Sequence, residues 1–160
     1  MKSTLDKASE TLKQQLKRKR VKLPLKEAHQ PPLLKGITMA SKPKKILVID
    51  DDSAILEATR IILEDKGYVI STLNSGELIH KVIKKEKPNL IIIDVWLPGE
   101  DGDKITQKLK SKDGTKKIPV VLMSANQDVK KIAKENKAEG FLSKPFEIDD
   151  LLSLVEKHLK

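Results

Sequence analysis

Residues 46–49 read Ile-Leu-Val-Ile, an unbroken run rich in β-branched residues, as a strand buried on both faces requires. Beyond it Ile55, Leu56, Ala58, Thr59 and Ile62 recur at helical spacing, with Ser53 placed to cap the helix and Gly67 to close it. The alternation then repeats. A second short strand is predicted over 68–72, followed by a helix carrying Leu78, Ile79, Val82 and Ile83 with Asn74 or Ser75 as its cap. Pro88 precedes Leu90-Ile91-Ile92-Ile93, the most apolar run in the chain, and a Gly/Asp-rich loop over 94–103 leads to a helix with Ile105 and Leu109 on its inner side. A fourth strand is predicted over 118–123, with Pro119 at its start where a missing N–H is tolerated. A polar helix near 127–137, a strand at 141–143 and a last helix near 147–159 complete the pattern. Five strand–helix units predict an α/β domain, with helices on both faces of a parallel sheet.

In such a sheet ligands sit beyond the carboxyl ends of the strands. Here the first strand ends in Asp50-Asp51-Asp52, the third in Asp94, the fourth in Ser124-Ala125 and the fifth in Ser143-Lys144-Pro145. Asp50, Asp51 and Asp94 converging on one crevice would repel unless a cation neutralised them. Oxygen donors without His or Cys select a hard ion, and Mg²⁺ suits them best. A hydroxyl (Ser124) and a lysine (Lys144) opposite the carboxylates are what a transferring phosphoryl group needs around its oxygens. The chemistry is that of an aspartyl-phosphate site, with one carboxylate as nucleophile. By itself a triple Asp after a strand is more often a cap-and-turn cluster, Phe141 plain core and Lys144 a surface-loop residue. The set gives the Asp cluster and Lys144 their meaning, and leaves Phe141 as plain core. His80 and His158 have ordinary helical surroundings and are assigned no role.

Charge separates the chain into two parts. Residues 1–44 carry 12 Lys/Arg against 3 Asp/Glu, whereas residues 45–160 carry 20 of each, so the whole net charge of +9 lies in the first part. That part also holds Pro24, Pro31, Pro32 and Pro43 and no aromatic residue, and it reads as a basic, flexible N-terminal extension. Leu5, Ala8, Leu12 and Leu16 make a narrow helical stripe within it, ended by Lys17-Arg18-Lys19-Arg20. Electrostatic binding of nucleic acid or an anionic surface is the other reading of such a tail. The chain has no Cys, which excludes a disulfide scaffold and thiolate chemistry. Its longest apolar runs of about five residues fall far short of the roughly 20 that span a bilayer, no secretory signal is evident, and a cytoplasmic protein is expected.

The stretches Ile46–Asp52, Asp94–Gly102, Ile118–Ala125 and Gly140–Phe146 resemble, in that order, the receiver domain of two-component response regulators. The resemblance covers 45–160 and implies a flavodoxin-like doubly wound (βα)5 fold with strand order 2-1-3-4-5. It implies that Asp94 is the phosphoacceptor, that Asp50, Asp51, Asp94 and the backbone carbonyl of Trp96 hold Mg²⁺ (or Mn²⁺), and that Ser124 and Lys144 meet the phosphoryl group. Phe141 takes the aromatic switch position coupled to Ser124, and Lys144–Pro145 is expected as a cis peptide. Three positions depart from the family pattern: Asp103 replaces an apolar residue, Lys137 stands where a helix-ending Gly is common (Asn136 being the expected left-handed cap instead), and Trp96 is large enough to shield a phosphate.

The implied protein is a signalling phosphoacceptor, not an enzyme beyond its own phosphorylation and dephosphorylation. Its expected partners are a histidine kinase or histidine phosphotransfer protein upstream. A downstream protein is expected to read the face formed by the fourth helix, fifth strand and fifth helix, since the chain ends at Lys160 with that helix. Two alternatives stand beside this. One is a Mg²⁺-dependent phosphatase with an aspartyl nucleophile, to whose Asp-x-Asp spacing Asp50 and Asp52 conform. The other is a receiver that controls a nucleic-acid-binding basic tail.

Overall fold

The computed structural model describes residues 10–15 and 42–160. Within them five strands alternate with five helices: β1 (Lys45–Ile49), α1 (Ser53–Glu64), β2 (Val69–Leu73), α2 (Ile79–Glu86), β3 (Leu90–Asp94), α3 (Gly102–Ser111), β4 (Val120–Ser124), α4 (Val129–Glu135), β5 (Gly140–Ser143) and α5 (Ile148–Leu159). All strand pairs are parallel and the order is β2-β1-β3-β4-β5, as the resemblance implied.

The unbroken apolar runs follow from burial on both faces. Successive side chains of a strand point to opposite sides. Ile46 and Val48, Leu90 and Ile92, Val121 and Met123 therefore join one core layer, with Leu56, Ile62 and Leu63 of α1 and Leu151 and Val155 of α5. Leu47 and Ile49, Ile91 and Ile93, Val120 and Leu122 join the other, under α2, α3 and α4. Every residue of β3 and β4 is buried, while β2 at the sheet edge is half-exposed. At ~1.5–3 kcal/mol for each fully buried aliphatic side chain, these two layers are the main stabilisation of the domain.

Several local expectations are corrected. Asp52, not Ser53, caps α1: its Oδ1 accepts the N–H groups of Ala54 (2.8 Å) and Ile55 (3.3 Å). The helix after β2 starts at Ile79 with neither Asn74 nor Ser75 as its cap, and Leu78 lies outside the core at 54 % exposure. β4 begins two residues later than expected, at Val120, because Pro119 and Ile118 form the approach to it. After α4 it is Lys137 itself that adopts the left-handed conformation (φ 58°), while Asn136 remains at φ −97° and donates its side-chain amide to the Ile132 carbonyl. Asp103 lies half-buried in the first turn of α3, where a carboxylate is favoured by the helix dipole.

In the N-terminal part residues 10–15 are helical, and Leu12 is 1 % exposed within the α1–α5 core layer. Of the basic, flexible extension expected over 1–44, only 10–15 and 42–44 are among the described residues. The Lys17–Arg20 run and the rest of 16–41 lie outside the described residues.

Candidate functional site

Strand register places the site. Ile49 stands opposite Ile93, Asp94 opposite Met123 and Ser124 opposite Ser143, so the carboxyl ends of β1, β3, β4 and β5 are flush. The residues that follow them converge: Asp50 after β1, Asp94 closing β3, Ser124 closing β4 and Lys144 after β5. All four are buried, with Asp50 and Ser124 at 0 %, Asp94 at 3 % and Lys144 at 5 % exposure. A buried charge needs a partner. Lys144 supplies one to both carboxylates, its Nζ donating to Asp50 Oδ2 at 2.6 Å and to Asp94 Oδ2 in a still shorter contact.

The other oxygen of each carboxylate accepts a backbone N–H. Asp50 Oδ1 accepts the Asp52 N–H at 2.9 Å and Asp94 Oδ1 accepts the Trp96 N–H at 2.9 Å. Ser124 Oγ accepts the Asn126 N–H at 3.1 Å, which leaves its own proton to donate. The Lys144–Pro145 peptide is cis.

Burial pushes the Asp50 carboxyl up to about 6; Lys144 pulls against that rise and Asp94 adds to it. For Lys144, burial works to lower the ammonium, but Asp50 and Asp94 together outweigh it and hold it above its ordinary range.

Asp51, beside this pair, is exposed, and Asp50, Asp51 and Asp94 each offer a carboxylate oxygen within 4.8 Å of the other two. Three carboxylates against one lysine leave a local charge of about −2, which a divalent ion would balance. The donors are oxygen only, half buried and half open, and they fit a hard cation that keeps part of its water.

The loop after β3 is shaped by packing. Val95 and Leu97 are buried in the core layer under α2–α4, and the Gly102 N–H returns to the Val95 carbonyl at 2.8 Å. Gly102 then passes so close to β3 that a Cβ on it would stand 1.9 Å from the Asp94 carbonyl oxygen. The role of this glycine is not evident from composition; its signal in the sequence is an Asp-Gly pair directly ahead of a helix. Trp96 is 58 % exposed and Phe141 37 %.

Asp52 counts against the phosphatase alternative. Its Oδ1 accepts two N–H groups of the α1 cap, a structural role that accounts for the residue without an Asp-x-Asp pair.

Comparison with known proteins matches this geometry. The family model for the response regulator receiver domain matches residues 46–156. The chain is 33 % identical over 124 residues to the probable C4-dicarboxylate response regulator DctR of Bacillus subtilis, covering 75 % of this chain and 54 % of that protein. It is 32 % identical over 119 residues to the phosphate regulon transcriptional regulatory protein PhoB of Pseudomonas aeruginosa, covering 73 % and 52 %. The chain thus spans about half the length of these curated relatives. Among solved structures, the chemotaxis response regulator CheY4 of Vibrio cholerae superposes with a TM-score of 0.68 at 26 % identity, over 73 % of this chain and 99 % of that one. A match that runs from the first strand into the last helix gives the assignment: the chain belongs to the response regulator receiver domain family, the phosphoacceptor module of two-component signalling.

Proposed function

We propose that residues 45–160 form a receiver whose Asp94 takes a phosphoryl group from the phosphohistidine of a histidine kinase or histidine phosphotransfer protein. The observation that carries this reading is Lys144 reaching both Asp94 and Asp50 at flush strand ends. An Asp94 carboxylate oxygen attacks phosphorus, the bond from phosphorus to the donor imidazole nitrogen breaks, and an acyl phosphate remains on Asp94. Lys144 then exchanges part of its pairing with the carboxylates for a phosphoryl oxygen, and the Ser124 hydroxyl donates to another. Asp50, Asp51, Asp94 and the Trp96 carbonyl would hold Mg²⁺ (Mn²⁺ being the other hard ion that suits them), which supplies neutralisation of the charge gathered between carboxylates and phosphate. Because Lys144 and Ser124 flank the acceptor, phosphorylation pulls on β4 and β5, and Phe141 on β5 is the switch that reports it.

The downstream partner reads the α4–β5–α5 face. An open groove of about 480 Å³ there is lined by Phe141, Pro145, Phe146 and Leu154. No helix among the described residues is long and apolar enough to cross a membrane.

Acetyl phosphate tests the reading directly. Incubated with it and Mg²⁺, the chain is expected to gain one hydroxylamine-labile phosphoryl group, and to gain none in EDTA. Continuous multi-turnover release of phosphate without an accumulating acyl phosphate would instead establish a phosphatase.

The raised Asp50 value gives a pH signature. Folded Asp50 titrates near 6, above its ordinary value of 3.8, so between these values the folded chain holds a proton that the unfolded chain does not. This group's contribution in EDTA therefore rises as pH falls from 7 to 5, by about 1 kcal/mol. Mg²⁺ needs the ionised carboxylate, so the stabilisation that the ion confers falls over the same interval. Thermal melts at both pH values, with EDTA and with Mg²⁺, are expected to show these opposite trends, and Asp50→Asn is expected to flatten both. Trends unchanged by that substitution would assign them to other groups.

A further inference from the structure

Leu12 is 1 % exposed although it stands far upstream of β1, and it shares a core layer with Leu56 of α1 and with Phe146, Ile148 and Leu151 at the start of α5. Three residues on, Gln15 Oε1 accepts the Ile148 N–H at 3.1 Å. That N–H belongs to the first turn of α5, whose donors have no partner within the helix. The segment thus plugs an apolar depression between α1 and α5 and caps α5 from outside, four residues beyond Lys144.

The fit is incomplete. Gln15 Nε2 is buried without a hydrogen-bond partner among the described residues, and Lys13 and Gln14 are exposed. Among the described residues, the contact rests on a buried Leu12 and a carboxamide satisfied at one end only, which a better-matched helix can replace. The N-terminal end of α5 that Gln15 meets is acidic, with Glu147 as N-cap and Asp149 and Asp150 in the first turn.

We propose that the α1–α5 face at the N-terminus of α5 is a docking site for an amphipathic helix that presents a leucine and a carboxamide three residues apart. In this chain residues 10–15 are its tethered occupant, a latch that a partner helix must displace. Tethering gives the segment a high effective concentration, so the latch holds despite weak intrinsic binding. The face is available to a partner only when the latch is open.

The test uses the full-length chain and its Leu12→Asp and Gln15→Ala variants. Hydrogen exchange at the Ile148 amide is expected to accelerate at least tenfold in both variants, with β3 and β4 amides still protected. A fluorescein-labelled peptide of residues 3–20 is expected to bind the Leu12→Asp chain at least tenfold more tightly than the wild-type chain. Equal Ile148 exchange in all three chains would overturn the proposal, as would equal affinity of the peptide for both chains or binding to neither. A dimer that forms with rising concentration and is lost in Leu12→Asp would place the segment on a second copy, and would overturn occupancy in cis. If Leu12→Asp loses β3 and β4 protection, Gln15→Ala decides the matter through the Ile148 amide alone.

Discussion

Asp94→Asn is expected to abolish labelling by acetyl phosphate, a loss of at least ~10³-fold, because a neutral amide cannot form the acyl phosphate. The substitution is nearly isosteric and keeps an oxygen for the Trp96 N–H, which now meets Asp94 Oδ1 at 2.9 Å. Lys144 keeps Asp50 as its ion partner at 2.6 Å. The fold is therefore expected to survive, with stability changed by no more than ~1 kcal/mol. Phosphate-affinity electrophoresis and intact mass read the label, and a urea titration reads the stability. Undiminished labelling would move the acceptor to another carboxylate, Asp51 being the exposed one. Loss of labelling together with loss of cooperative unfolding would show that Asp94 is needed for the fold, and would leave its chemistry to be shown by mapping the acyl phosphate on the wild-type chain.

Strand positions and the convergence of Asp50, Asp94, Ser124 and Lys144 were legible in the sequence because both rest on short-range rules. An apolar run buried on two faces fixes a parallel strand, and the residue that ends such a strand faces the ligand crevice. Helix starts were read less well. Ser53 is the residue type that caps, but Asp52 stands one position earlier, already held by its N–H to Asp50 Oδ1, so its side chain reaches the α1 amides first. Lys137 at φ 58° shows tertiary closure overriding local preference: the Ala138 N–H returns to the Ala133 carbonyl at 2.9 Å, and the chain turns at 137 whatever residue stands there. The burial of Leu12 could not be read because the core layer it joins is built from residues far away in sequence, Leu56 and Ile148 among them. A stripe of one leucine or alanine per turn looks the same whether or not a receiving face exists. Nor does composition disclose the part played by Gly102, since Gly-rich loops are usually read for flexibility, and this glycine serves by lacking a side chain.

Gly102→Ala is expected to damage both fold and site, and Gly99→Ala only the fold, slightly. The two glycines lie in one loop but for different physical reasons. Gly99 has φ 85° with open space around it, so an added methyl meets nothing and costs only the left-handed backbone conformation, ~1 kcal/mol. At Gly102 an added Cβ would stand 1.9 Å from the Asp94 carbonyl oxygen and 2.9 Å from its carbonyl carbon, both backbone atoms of a strand end packed on two sides. Relief requires α3 to move away from β3 or Asp94 to be pushed out of register with Ser124 and Lys144. The first opens the contact between Ile105 and Leu109 and the strands, and the second displaces the acceptor. Overpacking of this kind is expected to cost ~3 kcal/mol or more, beyond the usual range for an added methyl because backbone, not a side chain, must yield. Displacement of the acceptor by about an ångström is expected to slow acetyl-phosphate labelling by ~10²-fold in the fraction that remains folded. Urea titration and initial labelling rates on both variants check the contrast. Labelling of Gly102→Ala at the wild-type rate would mean that α3 alone gives way, leaving Asp94 in place. An equal loss in Gly99→Ala would mean that loop conformation, rather than the approach of Gly102 to β3, sets the position of the acceptor.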